Sequence, residues 1–370
     1  MAAVLKDKAT SPVVRGFDVA KKLSNNQGAK NSGPRSDPNK NQVRSDTNTM
    51  WRETMRKVLI GTLAAAMIAS GAQAADKKIG ASIASLEFTF LAVMAKGMTD
   101  HAAKLPGVKL QLEDAKNDVA TQLSQVQNFI AAGVDAIVVN AVDTSATQAM
   151  TDAAAKAKIP LVYVNRQPIN IDTLPDNQTF VASNEVDSGT LETKEICRIL
   201  KEKGKGKGAN IVVLVGELSN QAAVQRTKDV HDVIATPDCN FMKVVEEQTG
   251  GWKRDAGQDI VTNWISKGVK FDAIVANNDD MALGALNALK KAGLSAKDIP
   301  VGGVDATQEA LKSMQDGELA VTVFQDAAGQ GKGSIDTALK IAAGEKVEKK
   351  VYIPFQLVTP ANIKDYLSKN

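Results

Sequence analysis

The chain has 370 residues, 44% of them hydrophobic and 24% charged, a length suited to two domains and a balance that argues against a fibrous or membrane-embedded protein. The net charge of +3 is unevenly spread, because the first 74 residues hold 12 Lys and Arg against 5 Asp and Glu, leaving 33 basic and 37 acidic residues from Ala75 onward. Nucleic-acid binding needs a basic footprint, and the segment expected to fold is net acidic.

Residues 1–54 are rich in Asn, Ser, Lys, Pro and Gly without apolar periodicity, as in Gly33-Pro34-Arg35-Ser36-Asp37-Pro38. Such a segment cannot bury enough surface to offset its ordering entropy and is expected to be disordered. Residues 55–74 read as a secretory signal: Arg56 and Lys57 lead, an apolar run follows from Val58 to Ala69, and the end is small-x-small, Ala72-Gln73-Ala74. Cleavage is expected after Ala74. The run is shorter than the ~20 apolar residues of a membrane anchor, and without a Cys at the cut a lipoprotein is not expected. Because signals begin at their cationic end, Met55 is expected to be the true start, with residues 1–54 not translated.

From Lys77 the chain alternates between short apolar runs and helical spacing. Strands are predicted at 78–85, 108–113, 135–140, 160–165 and 179–183, with helices at 90–105, 119–132 and 145–157 between them. A second series follows Asn184-Glu185-Val186-Asp187, which reads as a break. It has helices at 190–203, 222–234, 255–267, 308–316 and 331–343, and strands at 210–216, 241–248, 299–304 and 320–325, before an extended tail over 351–358. Its most informative stretch is Phe271 to Leu289. There an apolar run, Ala273 to Ala276, gives way to Asn277-Asn278-Asp279-Asp280 and then to Met281, Leu283, Leu286 and Leu289 at helical spacing. This is strand, turn and helix, and in an open α/β sheet such a turn faces the ligand crevice. Capping accounts for one of the four polar residues. Asp279 and Asp280 read as caps or acceptors near a hinge.

Alternating β and α predicts parallel sheets covered by helices on both faces, and about a dozen strands are too many for one core, so two lobes are expected. The halves are internally similar. Gly133-Val134-Asp135-Ala136-Ile137-Val138-Val139-Asn140 and Gly268-Val269-Lys270-Phe271-Asp272-Ala273-Ile274-Val275-Ala276-Asn277 share a helix-ending Gly, a short turn and a strand that ends in Asn.

From Lys77 to the C-terminus the sequence resembles periplasmic solute-binding proteins of the ribose-binding type, the ligand-capturing components of ATP-driven sugar importers. The resemblance is carried by Asn277-Asn278-Asp279-Asp280-Met281-Ala282-Leu283-Gly284-Ala285, by Val164-Asn165-Arg166-Gln167, by Gly302-Gly303-Val304-Asp305-Ala306, and by the signal ahead. Regulators of the lac-repressor type share the two lobes but begin with a helix-turn-helix and stay in the cytoplasm. The resemblance implies an α/β fold of two doubly wound parallel-sheet lobes, residues 75–182 plus 326–354 and residues 183–325 plus 355–370, joined by a three-crossing hinge near Ala182-Ser183, Gln325-Asp326 and Pro354-Phe355. It also implies a sugar site in the cleft, with no cofactor or metal, a membrane permease as partner, and a periplasmic location.

Carried over residue by residue, Phe90 and Trp252 match the aromatic walls, and Arg166, Arg226, Asn278, Asp305 and Gln325 match the positions that bind hydroxyls. The chemistry agrees: a sugar offers apolar C–H faces and a rim of groups that both donate and accept, which flat rings and planar polar forks satisfy. All lie at predicted strand ends or in the turn that follows, except Arg226, early in a helix. The sequence departs from the ribose pattern at Asn165, where Asp is usual, and at Phe88-Thr89-Phe90-Leu91, where Asn-Pro-Phe-Phe is usual. Glu87 is expected to supply a carboxylate there, and Phe88 belongs either to that wall or to the core. The Val-Asn-Arg-Gln-Pro run is similar to inositol and rhizopine binders of the family, which points from ribose toward a cyclitol.

Other readings remain beside these. Trp252 after Gly250-Gly251 could be core, Arg166 a surface charge, and Asp305 a helix cap, although Thr307 serves that end equally well. An enzyme is poorly supported: His101 and His231 sit on predicted helices, there is no G-x-S-x-G, and Gly329-Gln330-Gly331-Lys332-Gly333-Ser334 lacks the Ser or Thr directly after Lys that a phosphate loop needs. An exported sensor that reports to a chemoreceptor is the alternative to a transport receptor, and the two are compatible. Cys197 and Cys239 form a disulfide or stay two thiols; sequence does not show whether their Cα atoms come within ~7 Å.

Overall fold

The computed structural model describes residues 76–370. The expectations for residues 1–54, the signal at 55–74, cleavage after Ala74 and a start at Met55 lie outside the described residues.

The first sheet draws on β1 (Lys77–Ile83), β2 (Val108–Asp114), β3 (Ala136–Val139), β4 (Leu161–Val164) and β5 (Gln178–Ala182), joined by helices α1 (Thr89–Ala102), α2 (Val119–Ala131) and α3 (Thr147–Ala157). The chain then forms α4 (Glu185–Glu202), β6 (Ala209–Val215), α5 (Gln221–Ile234), β7 (Met242–Thr249), α6 (Arg254–Ser266) and β8 (Ala273–Ala276). It continues through α7 (Asp279–Lys291), β9 (Val301–Gly302), α8 (Gln308–Gln315), β10 (Thr322–Phe324), α9 (Ala327–Ala342), β11 (Lys350–Tyr352) and β12 (Gln356–Val358).

Six strands in the order β11-β5-β4-β3-β1-β2, all parallel, make the first sheet. The second runs β7-β6-β8-β9, also parallel, and single bridges at Gly302–Val321 and Asp305–Phe324 carry it to β10, where β12 pairs antiparallel. Strands β3, β4, β5 and β8 are buried at every residue, as expected when helices cover both faces. The α/β architecture of two doubly wound parallel sheets is therefore present. The chain passes between the sheets at three places: after β5, between β10 and α9, and between β11 and β12. Among the described residues no helix is long and apolar enough to cross a membrane.

Helix α9 returns to the first sheet by lying close on α1. A Cβ at Gly331 would stand 2.4 Å from the Met94 carbonyl oxygen, so only glycine permits this approach. The resemblance between halves has a shared physical cause. Asp135 accepts from the Lys78 N–H and Asp272 from the Asn210 N–H, each at 2.8 Å, tying the start of one strand to its neighbour. At the far ends, Asn140 Oδ1 accepts from Ala84 N–H (3.3 Å) and Asn277 Oδ1 from Gly216 N–H (3.1 Å).

Three stretches differ from expectation. Helix α4 begins at Glu185 rather than 190, because Asn184 is extended and Glu185 and Asp187 lie in the first turn, where acidic residues favour a helix start. Helix α9 begins at Ala327 rather than 331, capped by Asp326, whose Oδ1 accepts from Gly329 N–H at 2.7 Å. The glycine-rich run from Gly329 is thus helical, and within it Gly331 meets α1. The tail is two short strands, one in each sheet, rather than one extended segment.

Cys197 on α4 and Cys239 after α5 are bridged, with Cα atoms 5.8 Å apart and a sequence separation of 42. Closing a loop of that size stabilises the fold by up to about 4 kcal/mol. The Cys197→Ser/Cys239→Ser variant is therefore expected to unfold at lower urea concentration than the parent. Thiol titration of the denatured, unreduced parent should find no free sulfhydryl; finding two would exclude the bridge.

Candidate functional site

The loops leaving the carboxyl ends of β1 and β4 face those leaving β6, β7, β8, β9 and β10 across a cavity. Phe88, Phe90, Asn165 and Arg166 line it from the first sheet. Arg226, Trp252, Asn278, Asp305 and Gln325 line it from the second. Of the ten predicted site residues only Glu87 is elsewhere. It is exposed, because the turn before α1, in which its N–H donates to Ser85 Oγ (3.2 Å), gives the inward place to Phe88. Phe88 packs against the cores of both lobes and lies under the Arg166 guanidinium, 5.7 Å from its centre.

Arg226 holds the second-sheet wall together. Its Nε donates to Glu185 Oε2 at 2.8 Å, its Nη1 to the Asn277 carbonyl at 2.7 Å, and its Nη2 to Glu185 Oε1 and Gln325 Oε1, both at 3.2 Å. Asp305 Oδ1 lies 3.9 Å from Nη1. The guanidinium also stands over the rings of Trp252 (5.7 Å) and Phe355 (5.8 Å). Burial opposes its charge, but Glu185 and Asp305 outweigh burial and hold its pKa above the ordinary arginine value. Asp305 itself is pushed well above the usual carboxylate range by burial, against the pull of Arg226.

Arg166 is fixed from the other side. Its Nη1 donates to the carbonyls of Ala141 (3.1 Å) and Val142 (3.0 Å), and its Nη2 reaches Glu217 Oε2 of the opposite lobe at 3.4 Å. Burial lowers its pKa and Glu217 opposes the fall. Three further bonds cross the cleft: Asn117 Nδ2 to Glu217 Oε1 (2.8 Å), and Thr144 N–H and Thr144 Oγ1 to the Ser219 carbonyl (both 3.0 Å).

Trp252 is 8% exposed and its ring lies flat over Gly216, where a Cβ would come within 2.2 Å of it. Asn165 (φ 65°), Trp252 (φ 67°) and Asp305 (φ 123°) all have left-handed backbones, which side chains adopt at a cost of order 1–3 kcal/mol and which cluster at binding sites. The buried Trp252 Nε1–H and Gln325 Nε2 have no partner among the described residues. Asn278 caps α7, accepting from Met281 N–H at 3.1 Å, and its Nδ2 donates to the Trp252 carbonyl at 3.2 Å. Asp279 accepts from Thr307 N–H (2.8 Å) and Thr322 Oγ1 (2.7 Å) away from the cavity, whereas Asp280, bonded to Arg254, lines it. Thr307 caps α8, leaving Asp305 to the cleft.

Sequence reasoning missed Asn220 and Glu217. Asn220 lines the cavity from the β6 loop and caps α5, the same strand-end Asn signal that marked Asn278. Glu217 carries no such signal, since its role comes from a residue of the other lobe.

The periplasmic binding protein domain family matches residues 79–346 of the chain. A protein of Rhizobium meliloti named "Putative rhizopine-binding protein" is 58% identical over 85% of this chain and 100% of its own length. The ribose import binding protein of Bacillus subtilis is 32% identical, over 76% of this chain and 87% of its own. Among solved structures, an ABC transporter solute-binding protein from Bacillus halodurans C-125 with bound myo-inositol superposes with a TM-score of 0.74. It is 38% identical over 80% of this chain and 99% of its own.

Two buried carboxyls of the second lobe, Asp279 and Asp229, predict a pH dependence of stability. Burial raises Asp279 to about 7 against its hydrogen bonds from Thr322 and Thr307, and burial raises Asp229 to about 7 against its bond from Gln225. A carboxyl whose folded pKa exceeds its unfolded one adds stability that is complete below the unfolded value and is lost as pH rises through about 7. Lowered carboxyls such as Asp135 and Glu309 titrate below this window. The melting temperature of the ligand-free protein should therefore rise from pH 8 to pH 5, and Asp279→Asn should flatten that slope. An equal slope in the variant would remove Asp279 as a source.

Proposed function

Because the chain belongs to the periplasmic binding protein family, we propose that it captures one neutral monosaccharide or cyclitol in the cleft, with myo-inositol as the reference ligand, and hands it to the membrane permease of an ABC importer. The supporting observation is that each cleft arginine already has a carboxylate, Arg166 with Glu217 and Arg226 with Glu185. The walls thus offer fixed N–H donors with their charge balanced. An anionic ligand would have to displace those pairs, whereas a hydroxyl donates and accepts beside them. Phe90 and Trp252 supply apolar faces for ring C–H groups, and the unpartnered Trp252 Nε1–H and Gln325 Nε2 suit hydroxyl oxygens.

The lobes of this reading are residues 75–182 with 326–354 and residues 183–325 with 355–370, turning about the three crossings. A ligand that touches both lobes, helped by the Asn117–Glu217 and Thr144–Ser219 contacts, favours the closed arrangement by its differential affinity for it. The permease, and under the same proposal a chemoreceptor, would read that closed shape. The protein works in the periplasm, with the leader removed after Ala74. It binds without turnover: His101 pairs with Asp336 and His231 with Glu247, and neither histidine lines the cavity.

A thermal-shift screen of pentoses, hexoses and cyclitols tests the ligand class. A true ligand at a hundredfold its Kd adds about 2.7 kcal/mol of stability, and no stabilisation by any member would defeat the polyol reading. In titration calorimetry with myo-inositol, Trp252→Ala should weaken binding by ~1–3 kcal/mol. Arg166→Ala should lose at least as much, since the hydroxyls it serves would be left buried and unpaired.

A further inference from the structure

Asn370, the last residue of the sequence, places its side chain where the chain passes from β10 to α9. Its Nδ2 donates to the Gln325 carbonyl at 2.6 Å and to the Asp305 carbonyl at 2.8 Å, while its Oδ1 accepts from the Ala327 N–H at 3.0 Å. A primary amide has both the two donors and the acceptor this arrangement uses.

The three backbone groups are not arbitrary. Asp305 and Gln325 both line the cavity, and Ala327 is the first residue of the helix that returns to the other sheet. Between Asp305 and Gln325 the direct backbone bond is long, 3.4 Å from Gln325 N–H to the Asp305 carbonyl. Asp305 and Ala306 also hold left-handed backbones, with φ 123° and 52°, which persist only where the surroundings over-determine them. The segment that delivers Asn370 is anchored in turn. The Tyr366 ring packs on Phe324 at 5.2 Å, and Lys369 Nζ stands 4.9 Å and 5.2 Å from those two rings.

We propose that Asn370 is a positioning residue for ligand binding. It holds the backbone of Asp305 and Gln325 so that their side chains meet the ligand, and it ties both to the start of α9 at the hinge. The proposal rests on the cleft being the ligand site, as argued above.

The test is titration of myo-inositol into the full chain and its variants. Asn370→Ala should weaken binding by about tenfold, the size expected for losing hydrogen bonds of this kind. Asn370→Asp, which keeps the acceptor for Ala327 and loses both donors, should be similarly weak. Because Asn370 acts through Gln325 as well as Asp305, Asn370→Ala should cost less affinity in the Gln325→Ala background than in the wild type. Wild-type affinity in Asn370→Ala and Asn370→Asp, or fully additive losses in the double variant, would overturn the proposal. Trp252→Ala run in parallel separates the two levels. Weakening there without weakening at Asn370 overturns the positioning role alone, and no loss at either residue overturns the cleft reading beneath it.

Discussion

The structure of the cleft depends on one buried guanidinium. Arg226 is withdrawn from water, and a charge in that position must be paired and hydrogen-bonded or the fold loses several kcal/mol. Its partners arrive from separate units of the chain: Glu185 from the start of α4, the Asn277 carbonyl from the end of β8, and Gln325 from the end of β10. Satisfying them fixes three element ends relative to one another. Trp252 and Phe355, which flank the same group, are thereby placed as well. Removing one carboxylate partner of such a buried ion would cost about 3–5 kcal/mol, so site and fold are not separable here.

The two lobes solve the same backbone problem and then diverge at the strand ends. Asp135 and Asp272 set the strand starts alike, and Asn140 and Asn277 brace the following loops alike. Beyond that point, Asn140 Nδ2 turns to the Val164 carbonyl and to Asn165, next to Arg166, whereas the Asn277 carbonyl receives Arg226. An equivalent asparagine thus stands behind an arginine in each lobe. The two guanidiniums reach the cavity from opposite sides, which is why neither lobe alone could enclose a ligand.

Much of this was legible in the sequence, and the reasons are physical. Short apolar runs broken by polar residues mark buried parallel strands, so the element order and the two-sheet plan could be read from periodicity. The family resemblance supplied Arg166, Trp252, Asn278, Asp305 and Gln325, the rule that ligands meet strand carboxyl ends agreed with it, and all five share one cavity. Contacts that join distant residues were not legible. Glu217 gains its place from Arg166 and Asn117 of the other lobe, and the Cys197–Cys239 bridge depends on a distance no spacing reveals. Glu185 was read as part of a break, although it is the chief partner of Arg226, because acidic residues before a helix look alike whether they cap it or pair a buried charge. Glu87 failed for a local reason: around a helix start, a shift of one residue decides which side chain faces inward.

Under the proposed function, the Arg226 fork, and not merely a positive charge, organises the cleft for its ligand. Arg226→Lys keeps the charge but cannot reach Glu185, Asn277 and Gln325 together, because an ammonium is a point donor without a planar fork. Titration calorimetry of myo-inositol into wild type and Arg226→Lys, with circular dichroism to verify the fold, tests this most directly. The account predicts a folded variant that binds at least about tenfold more weakly, corresponding to ~1.4 kcal/mol. A folded variant with wild-type affinity would contradict it.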